Sequence, residues 1–242
     1  MPNNYFRFKR FTVFQDRCAM KVCTDACLFG AWVRSVIPDR DIDILDIGTG
    51  TGLLSLMLAQ AFEGSIDAIE ADEPAFAQAK ENFSSSPWGF RISIFQGPVQ
   101  SFGPSKKYDL VICNPPFYEN NLKSPSQRRN MALHDASLTI SELLPLAKGF
   151  LKPGGRLALL LPAARAQELE SLAVANEFKM VRKTFVKQTP RHDPFRVMYI
   201  LQTGGEKSSP SPEEIIIKEG DAYTSEFYSL LKDYYLFEPK TI

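Results

Sequence analysis

The stretch "DILDIGTGTGLLS", residues 43–55, decides the fold, because an apolar strand runs into three closely spaced glycines and then into an apolar helix. Glycine permits a tight turn and a close backbone approach, and the start of a helix offers free N–H groups to a ligand. Asp46 stands two residues before the first of the glycines, which are Gly48, Gly50 and Gly52. The strand–loop–helix context predicts a cofactor-binding loop, and the alternative is a plain tight turn.

The next predicted strand, residues 65–71, carries Glu70, which comes 18 residues after Gly52. A carboxylate at this place can accept hydrogen bonds from both hydroxyls of a ribose. Dinucleotide enzymes use a similar layout, but their usual pattern is G-x-G-x-x-G, and here the third glycine comes one residue early.

Strands and helices alternate along the middle of the chain. Strands are predicted at 41–48, 65–71, 90–97, 107–114 and 156–162, and helices at 51–62, 72–83, 137–155 and 164–178. Two more strands, 179–189 and 195–203, follow with no helix between them. This order predicts an α/β fold with a mainly parallel sheet, helices on both faces and one antiparallel strand near an edge.

Composition limits the possible partners. The formal net charge is +0, so a binding site for a polyanion must be a local patch. The chain has no apolar run long enough for a membrane span, and its first ten residues lack the apolar core of a signal peptide. The chain has four cysteines, Cys18, Cys23, Cys27 and Cys113, and their spacing fits no zinc template, so we expect no metal site. We expect their thiols to be reduced, as in a cytoplasmic protein.

The fourth strand of the predicted sheet ends in "CNPPF", residues 113–117. The Asn114 side-chain carbonyl and the Pro115 backbone carbonyl are two acceptors for the hydrogens of a planar amino group, and the prolines fix their directions. Phe117 offers a face on which a ring can stack. The stretch predicts catalysis on an amino nitrogen by Asn114, Pro115, Pro116 and Phe117, and the alternative is a strand followed by a proline turn.

The glycine spacing with the leading Asp46 resembles the Rossmann-like S-adenosylmethionine-dependent methyltransferases, over residues 41–203. The resemblance implies a seven-stranded sheet of order 3-2-1-4-5-7-6 with strand 7 antiparallel, and it implies that Glu70 holds the cofactor ribose. The Asn-Pro-Pro-aromatic stretch resembles the signature of methyltransferases that act on adenine, guanine or protein glutamine. Pro98 departs from the class, which often has an acid there near the cofactor adenine, so Gln96, Gln100 or backbone groups must replace that contact.

The N-terminal run "FRFKRF", residues 6–11, alternates aromatic and basic side chains. This pattern suits phosphate contacts combined with base stacking, and the alternative is a strand with a solvated charged face. Residues 179–196 form a second basic run. The candidate RNA-binding residues are Arg7, Lys9, Arg10 and Arg17, with Arg128, Arg129 and His134 after the Asn-Pro-Pro-Phe stretch.

The run "FTVFQD", with "CAMKV" and "LFGAWV", and the tail "YTSEFYSLLKDYYL" resemble the two ends of the bacterial tRNA1(Val) adenine-N(6)-methyltransferase family. That family methylates the exocyclic amine of the adenosine next to the anticodon of a valine tRNA. Its segment before the first strand closes over the cofactor. The resemblance implies S-adenosylmethionine as cofactor and these binding residues: Lys21, Thr24, Asp25, Leu28, Asp46, Gly48, Gly50, Gly52, Glu70 and Asn114.

We expect a single methyltransferase domain over 1–242, with an N-terminal cap at 1–40, a catalytic core at 41–203 and a C-terminal extension at 204–242. The expected partner is tRNA, and neither a membrane nor a protein partner is implied. A protein glutamine methyltransferase and a ribosomal RNA guanine-N(2)-methyltransferase remain alternatives, because both use the same amino-group chemistry. A binding module without catalysis would be expected to have a degraded glycine loop or Asn-Pro-Pro-Phe stretch, and both are intact here.

Overall fold

The computed structural model describes residues 3–115, 138–205 and 210–236. The helices of these ranges are α1 (Thr24–Val36), α2 (Leu53–Ala61), α3 (Glu73–Ser84), α4 (Ile140–Phe150), α5 (Ala166–Ala175) and α6 (Ser225–Leu231). The strands are β1 (Tyr5–Arg7), β2 (Thr12–Phe14), β3 (Ile44–Ile47), β4 (Ile66–Glu70), β5 (Ile92–Gln96), β6 (Tyr108–Cys113), β7 (Leu151–Pro162), β8 (Phe178–Lys187), β9 (Arg196–Thr203), β10 (Glu213–Ile216), β11 (Lys218–Glu219) and β12 (Ala222–Tyr223). None of the helices in these ranges has the length and apolar character that crossing a bilayer requires.

The central sheet has the strand order β10-β8-β9-β7-β6-β3-β4-β5. Strand β9 is antiparallel to both β7 and β8, whereas the other neighbouring pairs are parallel. When β3 to β9 are counted as strands 1 to 7, the order reads 3-2-1-4-5-7-6. Strand β10 extends the expected seven-stranded sheet by one strand, because the tail pairs in parallel with the β8 edge and buries Ile215.

The boundary between α4 and β7 differs from the sequence expectation. The helix was expected to continue to a glycine stop at 155, but it ends at Phe150, and Leu151 already pairs with Tyr108 of β6. The register between β6 and β7 then shifts, and Gly154 adopts a φ of 76° inside the strand. The glycines therefore accommodate an irregularity in the sheet and do not end the helix.

The apolar core lies on both faces of the sheet, as alternation along the strands requires. One cluster joins residues of α1, α2, α3 and α6 to one face, and the other joins α4 and α5 to the opposite face. In β3, Ile44 belongs to the first cluster and Leu45 to the second. The expected α/β fold with helices on both faces is confirmed.

The N-terminal segment folds into the β1–β2 hairpin, which packs onto the first of these clusters. Phe8 and Phe11 are buried, and their rings stack with centroids 4.5 Å apart. The Lys9 N–H donates to the Tyr234 carbonyl at 2.8 Å, which ties the hairpin to the tail. The expectation that these aromatics stack on RNA bases is wrong for Phe8 and Phe11, because burial in the core takes their faces.

Asn82 of α3 is completely buried and holds the hairpin in place. Its Oδ1 accepts from the Phe14 N–H at 2.9 Å, and its Nδ2 donates to the Phe14 and Thr51 carbonyls, both at 2.8 Å. One side chain therefore connects β2 to the glycine loop.

Replacing Asn82 by alanine removes these three hydrogen bonds. We expect the free energy of unfolding to fall by about 3 kcal/mol, since each bond contributes about 1 kcal/mol. Urea denaturation measures the change, and Lys80→Ala, on the exposed face of the same helix, is the control that should leave stability unchanged. An unchanged denaturation midpoint for Asn82→Ala would contradict the role given to this amide.

Candidate active site

The glycine loop after β3 has a left-handed backbone at Gly48, Gly50 and Gly52, with φ values of 72°, 56° and 82°. A Cβ at Gly48 or Gly50 would meet no atom within 4 Å, whereas a Cβ at Gly52 would lie 2.5 Å from the Phe83 ring. The first two glycines therefore expose loop backbone to open space, and the third permits close packing against α3. This is the arrangement that a backbone-bound ligand requires.

Asp46 lies beneath the loop and is fully buried. Its Oδ2 accepts hydrogen bonds from the hydroxyls of Thr49 and Ser55, both at 2.7 Å, while its Oδ1 is buried with no partner among the described residues. Burial raises the pKa of Asp46 to about 6. A buried acceptor without a donor indicates a place for a donor group of a ligand or a water molecule.

Glu70, the last residue of β4, connects two neighbouring strand ends. Its two carboxylate oxygens accept from the backbone N–H groups of Gly50 at 2.8 Å and Asp72 at 2.9 Å. Asp72 in turn caps α3 by accepting from the Ala75 N–H at 3.1 Å. Each carboxylate oxygen can accept a second hydrogen bond, so Glu70 retains the capacity to bind ribose hydroxyls while it holds the loop.

The parallel register brings Asn114 to the same edge. Ile47, which precedes the glycine loop, pairs with Cys113, which precedes Asn114. Burial, together with the charges of Asp46 and Glu70, raises the pKa of the Cys113 thiol well above its usual range. Asn114 is half-buried and Pro115 is buried, whereas Pro116, Phe117, Arg128, Arg129 and His134 lie outside the described residues.

Residues 15–23, the N-terminal strap, run from the hairpin toward this edge. The backbone N–H of Arg17 donates to the side-chain carbonyl of Gln78 in α3 at 3.3 Å. Burial raises the pKa of the Cys18 thiol to about 12, and the charges of Glu70 at the end of β4 and of Asp72 before α3 add to this effect.

The strap reaches the opposite end of the site at α1. Asp25 pairs with Arg196 Nε at 2.7 Å, and Arg196 stands opposite Pro162, the last residue of β7. The strap therefore crosses the carboxyl edge of the sheet between β4 and β9. Gln15 connects the two ends of the strap, because its side chain accepts from the Val22 N–H at 2.8 Å. The same side chain donates to the Asn3 carbonyl at 2.9 Å.

The other expected cofactor contacts lie at or near the end of this strap. Lys21 is exposed and its Nζ lies 3.5 Å from the Asn3 carbonyl, Thr24 begins α1, and Leu28 is buried in the core. Burial acts to raise the pKa of Asp25, but hydrogen bonds from Cys23 and Arg196, together with the charge of Arg196, outweigh it and lower the pKa. Asp25 therefore fixes the start of α1 at this edge.

The expected RNA-binding residues of the hairpin and the strap differ in whether their side chains already contact other residues of the chain. Arg7 is exposed, whereas the Lys9 ammonium donates to the Lys232 carbonyl at 2.6 Å. The Arg10 guanidinium lies 5.2 Å from the Trp88 ring centroid, and Arg17 forms a 2.8 Å ion pair with Glu81. These contacts occupy three of the four side chains with partners of the chain itself.

The basic run at 179–196 is largely neutralised by acids. Four of its bases form ion pairs, two of them with acids of β10 in the C-terminal extension: Arg182–Glu213, Lys187–Glu214, Lys183–Glu170 and Arg196–Asp25. The run is therefore a poor candidate for a phosphate-binding patch.

Five polar residues that support the site were not predicted from the sequence: Thr49, Ser55, Gln15, Gln78 and Asn82. All five are buried although their side chains are polar. A hydroxyl in the apolar run "LLSLML" was the available signal for Ser55, since a polar group inside such a helix needs a partner.

The raised pKa of Asp46 gives a testable pH dependence. The folded state holds the proton more strongly than the unfolded state does, so rising pH between about 4 and 6 costs stability. Asp46→Asn has no such proton, and we expect its free energy of unfolding to rise by about 3 kcal/mol relative to the unsubstituted protein between pH 4 and 7. Urea denaturation at each pH measures the difference, and a flat difference would contradict the burial of this charge.

Comparison with known proteins agrees with this geometry. Residues 32–191 match the family model of the methyltransferase small domain. A predicted O-methyltransferase from Agrobacterium tumefaciens has the same fold with a TM-score of 0.66 and 17% identity, and covers 90% of this chain and 100% of its own. A glycopeptide N-methyltransferase solved with S-adenosyl-L-methionine gives a TM-score of 0.55 and 13% identity over 74% of this chain and 94% of its own.

Two relatives match over nearly their whole length. Both carry the name tRNA1(Val) (adenine(37)-N6)-methyltransferase. The protein from Parabacteroides distasonis is 39% identical over 98% of this chain and 99% of its own, and that from Dyadobacter fermentans is 42% identical over the same shares. The chain belongs to the tRNA1(Val) (adenine(37)-N6)-methyltransferase family.

Proposed function

We propose that the protein transfers a methyl group from S-adenosylmethionine to the exocyclic N6 amine of an adenosine in tRNA. The observation that carries the proposal is the meeting of Asn114 and Pro115 with the glycine loop and Glu70 at one edge of the sheet. The names of the full-length relatives favour a valine tRNA, with the adenosine next to the anticodon as target. A tRNA substrate also agrees with the cytoplasmic location expected from the sequence.

The cofactor fits the residues at this edge. Gly48 and Gly50 leave room for a ligand against the loop backbone, Glu70 can bind ribose hydroxyls, and the unpartnered Asp46 Oδ1 can receive a donor directly or through water. S-adenosylmethionine, when bound, supplies the activated methyl group. The strap, which contains Lys21 and is followed directly by Thr24, is the proposed cover of the pocket, and it would exclude water from the reacting atoms.

Asn114 and Pro115 have the task of positioning the amine. An exocyclic amine on a purine delocalises its lone pair into the ring and is a poor nucleophile. Two carbonyl acceptors aimed at its hydrogens hold it in line and favour a pyramidal nitrogen, and they do so at no reorganisation cost because Pro115 is fixed by its ring and by burial. Stacking by Phe117 and a supporting role for Pro116 remain predictions.

The two alternative enzymes predicted from the sequence would also transfer a methyl group to an amino nitrogen. They differ in the molecule that accepts the methyl group. A protein glutamine methyltransferase or a guanine-N(2)-methyltransferase would use the same two carbonyls. Neither is favoured, because the relatives that match over nearly the whole chain carry the name of an adenine-N6 enzyme of tRNA. The proposed single domain over 1–242 is supported by the contacts of the hairpin and the tail with the same core.

The direct test of the substrate is transfer of tritium from labelled S-adenosylmethionine into bulk bacterial tRNA that lacks the modification, followed by digestion to nucleosides. We expect the label in N6-methyladenosine. Label in methylguanosine, or label only in an added protein fraction, would contradict the choice of acceptor while leaving the cofactor assignment in place.

A second test addresses Asn114. We expect Asn114→Ala to keep its affinity for S-adenosylmethionine and to lose about 100-fold or more in kcat, because one preorganised polar contact at the reacting centre is removed. Isothermal titration measures cofactor binding and the tritium assay measures turnover. Asn176→Ala, at the end of α5, is the control, and a fully active Asn114→Ala would contradict the positioning role.

A further inference from the structure

The β1–β2 hairpin exposes two aromatic side chains on one face. Tyr5 is 49% exposed and Phe14 is 44% exposed, and their ring centroids lie 6.2 Å apart. The two residues are direct cross-strand partners, so their side chains stand side by side. The next pair, Phe6 and Val13, points to the opposite face and packs in the core.

Arg7 belongs to the same outer face, because it follows Tyr5 by two residues in β1. It is exposed, and it makes no ion pair with an acid in the described ranges. The face therefore presents two adjacent rings and a guanidinium to solvent. An isolated exposed ring needs no explanation, but paired rings next to an uncompensated cation suit a ligand that has both flat apolar rings and negative charge.

This face is continuous with the candidate active site. The Asn82 amide donates to both the Phe14 carbonyl and the Thr51 carbonyl at 2.8 Å, so one side chain bridges β2 and the glycine loop. The strap then leads from Phe14 along α3, where the Arg17 backbone N–H donates to the Gln78 side chain at 3.3 Å. A nucleic acid held on the outer face would reach the carboxyl edge of the sheet without leaving the protein surface.

We propose that Tyr5 and Phe14 form a stacking platform for unpaired bases of the substrate RNA that neighbour the target adenosine, with Arg7 at the adjoining phosphate. The inference rests on the proposed function and adds a binding surface to it. Base stacking on aromatic side chains is independent of base identity, and a tRNA loop offers such unstacked bases. The aromatic pair replaces the buried Phe8 and Phe11 as the stacking element of the N-terminal segment.

The test compares the KM for unmodified tRNA and the KM for S-adenosylmethionine in the tritium assay. For Tyr5→Ala/Phe14→Ala we expect the KM for tRNA to rise about tenfold or more, with the KM for S-adenosylmethionine unchanged. Phe90→Ala is the matched control, because Phe90 is 86% exposed and precedes β5 at the opposite, amino edge of the sheet. This control should leave both constants unchanged.

Two single variants separate stacking from general apolar contact. Phe14→Trp keeps an aromatic face and should retain the KM for tRNA, whereas Phe14→Leu keeps apolar bulk and should raise it. Equal values for the tryptophan and leucine variants would overturn the stacking role. An unchanged KM for tRNA in the double variant would overturn the whole surface.

The results also distinguish this inference from the proposed function. If the unsubstituted protein labels tRNA and the double variant does so with the same KM, only the platform is wrong. If the unsubstituted protein labels no RNA, both proposals fall. A dimer in size-exclusion chromatography that the double variant converts to a monomer would also overturn the platform, since a second copy of the chain would then cover the rings.

Discussion

Parallel pairing of β3 with β4 and β6 is the constraint on which the rest of the structure depends. It places the glycine loop, Glu70 and Asn114 at one edge, although they are far apart in the sequence. Glu70 strengthens this arrangement, because a single carboxylate accepts N–H groups from the loop after β3 and from the residue that caps α3. The proposed cofactor loop and the proposed substrate-positioning residues therefore share the same supports.

The N-terminal hairpin and the C-terminal extension both lie outside the central strands of the sheet. The tail contributes β10, whose acids neutralise bases of β8, and it also receives the hairpin through the Lys9–Tyr234 backbone hydrogen bond. The hairpin continues into the strap, which crosses the carboxyl edge and is held at its far end by the Asp25–Arg196 ion pair. Segments from both ends of the chain thus pack against each other, and the N-terminal one continues to the candidate site.

Local sequence patterns predicted most of the central fold, because strand and helix periodicity and the glycine loop are properties of neighbouring residues. The helix end at Phe150 was placed five residues too late, because pairing of Leu151 with Tyr108 depends on a strand over 40 residues earlier in the chain. The N-terminal run of aromatic and basic residues has one buried face and one exposed face. Its sequence alone does not show which side chain belongs to which face, because this depends on the pairing of β1 with β2. That register puts Phe6 inward and Tyr5 outward. The supporting role of Asn82 is not visible in the local sequence, because its partner Phe14 lies 68 residues away in the chain.

The central claim is that Asn114 and Pro115 hold an adenine amine next to a cofactor bound on the glycine loop. The most direct measurement is a crystal structure of the protein with S-adenosylhomocysteine and an unmodified anticodon stem-loop. The account predicts the N6 nitrogen of a flipped adenosine within about 3.2 Å of both Asn114 Oδ1 and the Pro115 carbonyl oxygen. An adenosine amine bound elsewhere, or a cofactor away from Glu70 and the glycine loop, would contradict it.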